Sequence, residues 1–173
     1  MHWSKRALMA ALVVLGTGAF TAPTITTHAA AKPMHHYVIQ ADFVLGAKGL
    51  PPKADACIAN AVFHPGQQIV WRARIYDSAT GKVVAPGQVK KLGLTATVVL
   101  KSGKKFAMMN IPHPPQAKKQ VFYWTAAWVV SKTYPFGPLV WTINAKDSSG
   151  GSTTFAPIGQ DVGVPSIIIA PAK

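Results

Sequence analysis

From Gln68 to Asp77 the side chains fall into two alternating sets, with Ile69, Trp71, Ala73 and Ile75 in one and Val70, Arg72, Arg74 and Tyr76 in the other. A period of two sends successive side chains to opposite faces of an extended strand. One face of this segment is therefore expected to be buried and the other to carry the two arginines. The pattern returns at Val121–Val130, where Phe122, Trp124, Ala126 and Trp128 share a side, and at Leu139–Asp147, where Leu139, Trp141, Ile143 and Ala145 do. Helical periodicity is almost absent. His36–Leu45, Leu94–Leu100, Lys105–Ile111, Ser152–Ile158 and Ser166–Ala170 read as further strands, while residues 56–63 are ambiguous. Seven or eight such strands suit an all-β antiparallel sandwich of two packed sheets.

The punctuation agrees. Two glycines and two prolines in residues 46–53 forbid a regular element, and Asp77–Lys82 and Ser148–Gly151 read as turns. Gly103 in Lys101–Lys104 supplies the positive φ of a hairpin turn. Pro112–Pro115 and the four residues after it read as a loop.

Residues 1–31 have the build of a secretory signal. Lys5 and Arg6 precede an apolar run from Ala7 to Phe20, and a small-residue tail ends in Ala29, Ala30 and Ala31. The apolar run is shorter than the roughly 20 residues needed to cross a bilayer, so it is expected to be a leader helix cleaved near Ala31. The mature protein, residues 32–173, is expected to be one domain, periplasmic or secreted, with no transmembrane anchor. With Cys57 as its single cysteine the chain can form no internal disulfide.

The chain carries 18 Lys and Arg against 5 acids, a net charge of +13; without Lys5 and Arg6 the balance is 16 against 5, or +11. None of the acids is glutamate. Such basicity points to anionic partners such as glycans or lipids, but export and the absence of a nucleic-acid motif exclude nucleic acid. A scarcity of carboxylates also suits an acidic medium, such as the periplasm of an acidophile, because few groups change charge near pH 4.

Tyr134-Pro-x-Gly, the run Leu139-x-Trp-x-Ile-x-Ala-x-Asp147, and the glycine pair before Thr154-x-Ala-Pro resemble the closing hairpin of bacterial immunoglobulin-like domains. Asn60–Asp77, followed by Thr80-Gly-Lys, is similar to an early strand of the same fold. The resemblance covers roughly residues 56–160. It implies a sandwich and no particular activity, because that fold hosts many.

No nucleophile elbow, zinc-protease motif, phosphate-binding glycine loop or paired-cysteine motif occurs, so catalysis is not expected. Asp77 and Asp147 read as turn-forming side chains. His35, His36, Cys57, His64, Met108 and His113 include the thiolate, imidazole and thioether groups that suit copper. The late loop 148–166, where a blue-copper site gathers ligands, contains no Cys, His or Met. Each candidate also has a plainer reading: Cys57 as a small buried hydrophobe, His64 and His113 as loop residues, Met108 or Met109 as a core side chain. Arg72, Arg74 and Tyr76 form a candidate cationic and aromatic contact patch. The expected role is an exported, non-catalytic binding or accessory protein of an extracytoplasmic assembly. The alternatives are a periplasmic copper-binding or redox-partner protein and a module for anionic glycans or lipids.

Overall fold

The computed structural model describes residues 34–113, 118 and 120–172. The expected leader and its cleavage point lie outside the described residues. The elements, in chain order, are β1 (Tyr37–Leu45), β2 (Ile58–Ala59), β3 (Val62–Phe63), β4 (Gln68–Asp77), α1 (Pro86–Leu92), β5 (Thr95–Leu100), β6 (Lys105–His113), β7 (Val121–Val129), β8 (Gly137–Pro138), β9 (Trp141–Lys146), β10 (Ser152–Phe155), a 3-10 turn (Gln160–Val162) and β11 (Ile168–Ile169). The fold is all-β, as the alternation predicts.

Eight strands form one antiparallel sheet in the order β10-β9-β5-β6-β7-β4-β1-β2. The sheet curls because β6 changes partner along its length: Lys105–Met108 pair with β5, and Met109–His113 pair with β7. The two halves thus face each other as a sandwich, and β1 comes back to lie beside β10. A small sheet, β3-β11-β8, has Ile169 and Phe63 fully buried and closes one end of the core.

The inward sides of the alternating strands meet in an aromatic core. Trp71 stacks on Phe106 (5.6 Å between centroids) and Trp128 (6.5 Å), and tilts against Trp141 (6.0 Å). Ile69, Ile75, Val98, Leu100 and Ile143 fill the remaining space at or near zero exposure. Burying this much aromatic surface dominates the stability of a domain that has no disulfide.

A polar latch ties the two ends of the curled sheet. The Tyr37 hydroxyl on β1 donates to Asp147 Oδ2 at 2.6 Å, just beyond β9. The other carboxylate oxygen accepts the Ser149 N–H, the Ser149 hydroxyl and the Gly151 N–H. A Cβ on Gly151 would overlap the His35 carbonyl oxygen and this carboxylate, so only glycine fits there. Burial by itself would raise the Asp147 pKa, but the four donated bonds outweigh it and hold the group at about 2. The Tyr37 hydroxyl is raised, chiefly by burial and then by Asp147.

Three elements differ from expectation. Residues 86–92 form a helix, started by Pro86 at its first position and ended by Gly93 in the left-handed conformation, with Lys90 and Lys91 in its last turn. Seven residues are too few for a periodic signal, so only the end signals could have revealed it. β6 continues through Pro112 to His113, because at that end it has a partner on one side only and a missing N–H can face away. β11 pairs with β3 and β8, not with an edge of the main sheet. Its parallel pairing with β3 joins segments more than 100 residues apart.

Candidate functional site

The outward sides of β1, β4, β7 and the second half of β6 form a continuous face. Register places Asp42 opposite Arg72 and Gln40 opposite Arg74 on β1 and β4, and Arg72 opposite Thr125 on β7. Thr125 and Tyr123 in turn face Met109 and Ile111 on β6. The alternation that buries Trp71, Ala73, Trp124 and Ala126 is what turns these residues outward.

The two arginines have different surroundings. Arg72 is committed: its Nε and Nη2 donate to the two oxygens of Asp42 at 2.8 and 2.6 Å. This bidentate bond raises the Arg72 pKa, against the effect of burial. Arg74 has no hydrogen bond or ion pair among the described residues, and its Nε is shut off from solvent without a partner. Its guanidinium lies 5.9 Å from the Tyr76 ring and 5.8 Å from the Tyr123 ring. The Tyr76 hydroxyl donates to Gln40 Oε1 at 3.0 Å, which fixes that ring. Gln40, Asp42, Arg72, Arg74 and Tyr123 line a cavity of about 160 Å³.

Around this cavity the face is apolar. Val38 is 56% exposed, Met109 65% and Ile111 38%. His113 meets Tyr123 edge-on at 6.1 Å. The chain has 15 lysines, yet β1, β4 and β7 contain none.

Arg72, Arg74 and Tyr76 therefore come together as the alternation predicts. Tyr123, Gln40 and Asp42 complete the group, and no local pattern joins them to Arg74. Tyr123 was legible as an outward residue from the alternation of its own strand. Its place beside Arg74 depends on the β4–β7 pairing, which spans about 50 residues of chain.

The candidate copper ligands are scattered. His35 sits before β1, with Nδ1 3.5 Å from Asp77 Oδ2 and its ring stacked on Tyr37. His36 is exposed beside it. Cys57 is exposed in the loop before β2, with a φ of 63°, and so is not the buried hydrophobe its neighbours imply. His64 Nδ1 lies 3.1 Å from the Ala170 carbonyl oxygen. Met108 is a core side chain, whereas Met109 points outward. His113 ends β6 and is not in a turn. Among the described residues no three His, Cys, Asp or Glu gather where they could hold a metal ion.

Asp77 behaves as a turn former, its Oδ1 accepting the Ala79 and Thr80 N–H groups. Burial would raise its pKa, but these bonds and His35 leave it lowered. No helix among the described residues is long and apolar enough to cross a membrane.

No protein-family model and no curated protein matches the chain. Among solved structures it is similar to a DUF4426 family protein from Pseudomonas aeruginosa PAO1, at a TM-score of 0.31 and 19% identity, over 52% of this chain and 61% of that chain. A likeness of that extent carries nothing about activity or partner.

Proposed function

We propose that this chain is an exported, non-catalytic binding or accessory protein of a cell-envelope assembly, built on an immunoglobulin-like sandwich, and that it meets a protein partner through the outer face of β1, β4, β7 and the second half of β6. The carrying observation is composition by location: both arginines of residues 32–173 stand on β4, where the Tyr76 and Tyr123 rings flank Arg74, and β1, β4 and β7, like β5 and β10, hold no lysine. Exposed Val38, Met109 and Ile111 surround them. Protein interfaces are enriched in Arg, Tyr and Met and depleted in Lys. The leader-like residues 1–31 support export.

Retention on washed native envelopes tests the reading. Arg74→Glu is expected to lower retention at least tenfold, and Lys146→Glu, on the outer side of β9, to leave it unchanged. The reverse ranking favours a basic module for anionic glycans or lipids.

The same protein is proposed to work in an acidic medium. Asp147, the one buried carboxylate among the described residues, is held ionised down to about pH 2 by its donors. Circular dichroism of the folded protein through an acid titration checks this, and unfolding near pH 4 would remove the idea.

A further inference from the structure

The 160 Å³ cavity beside Arg74 is well below the roughly 300–1,000 Å³ of pockets that enclose a whole small molecule. It has room for the end of a side chain presented by something lying across the face. The charges around it are specific. Two guanidinium groups and one carboxylate line it, and Arg72 spends its Nε and Nη2 on Asp42. What remains is one positive charge, centred on Arg74. That cation is held in place by two tyrosine rings and has no hydrogen-bond acceptor among the described residues. With Gln40 Oε1 taken by Tyr76, the Gln40 amide nitrogen also has hydrogens to donate.

A planar monoanion with two acceptor oxygens matches the two terminal nitrogens of the Arg74 guanidinium, whose Nε is shut off from solvent. A dianionic phosphate fits less well, because it would face Asp42 with only one uncommitted cation to balance it. Anionic membranes and polyanions are held by many basic residues acting together, whereas β1, β4 and β7 carry no lysine at all. The exposed Val38, Met109 and Ile111 would contact apolar neighbours of the anion. We infer that the cavity receives the side-chain carboxylate of an acidic residue in a partner protein, flanked there by apolar side chains that rest on Val38, Met109 and Ile111. The inference rests on this face being the docking surface.

The test is a titration of the purified, isotope-labelled protein with end-capped peptides. One carries Leu-Glu-Leu at its centre, and its counterparts replace Glu by Gln or by phosphoserine. The expected result is that the Glu peptide shifts the Arg74 Nε–H and Met109 methyl signals at millimolar concentration. The Gln peptide is expected to bind at least tenfold more weakly, and Arg74→Lys, which keeps the charge but loses the fork, to weaken the Glu peptide similarly. Equal binding of the Gln peptide overturns the carboxylate and leaves the docking face standing. Tighter binding of the phosphoserine peptide, or Arg74 shifts only with anionic phospholipid vesicles, overturns it in favour of another anion. An Arg74 signal unmoved by every probe also overturns it, while envelope retention judges the docking role separately.

Discussion

The two outer faces of the sandwich are built on strands of the same alternating pattern but carry different chemistry. On β5, β9 and β10 the outward residues include Thr95, Thr97, Val99, Asn144, Lys146, Ser152 and Thr154, and several bond to one another or to backbone, as Thr154 Oγ1 does to Asn144 Oδ1 and Thr95 Oγ1 to the Lys146 carbonyl. This surface satisfies itself. On β1, β4 and β7 the outward residues include an arginine without a hydrogen-bond partner and a fringe of exposed apolar side chains. Folding alone explains the first face; the second carries exposed apolar area that solubility disfavours.

The largest effect tests whether the two faces share one foundation. Trp71 lies behind Arg72 and Arg74 and also touches Trp141 of the other half. Trp71→Ala is expected to cost roughly 3–5 kcal/mol in denaturant unfolding, with both halves lost in one transition. Survival of one half's signals after the other melts would break the picture of a single core.

The next effect concerns the latch between the halves. An ordinary aspartate titrates near 3.9, and Asp147 is held at about 2. Because the folded value is the lower one, the carboxylate's contribution is whole above pH 4 and fades as pH falls toward 2. It amounts to roughly 2 kcal/mol. Asp147→Asn should therefore lose about that much at neutral pH, and its melting curve should converge on that of the parent near pH 2. A constant difference across this range would show that packing, not charge, sets the cost.

Smaller still are the effects on the faces themselves. Arg74→Ala removes two ring contacts, together worth about 1 kcal/mol or less at a partly exposed site, and is expected to abolish envelope retention nonetheless. Thr154→Val should change unfolding by no more than about 0.5 kcal/mol and leave retention untouched. Thermal melts and the retention assay, run side by side, separate these outcomes.

Much of this was legible residue by residue. The inward and outward assignment of Trp71, Arg72, Arg74, Trp124 and Trp141 follows from period two alone. The turn roles of Asp77 and Asp147 follow from their neighbours. Less legible was everything that depends on which strands pair. Tyr37 meets Asp147 across 110 residues of chain, and the partner change within β6 that curls the sheet has no local signature. Cys57 was misread because a small residue among alanines is usually buried, whereas here the chain turns through a positive φ at that point. The candidate copper ligands and the place of β11 share one difficulty: residue types were visible, and their positions relative to one another in space were not.

The central claim is that the arginine-bearing face is the contact surface, and photo-crosslinking in intact envelopes tests it most directly. A photoreactive side chain is placed at Met109 in one variant and at Thr154 in another. The account predicts a discrete adduct from position 109 that disappears when Arg74→Ala is added, and none from position 154. Adducts from position 154 alone, or from position 109 regardless of Arg74, would contradict it.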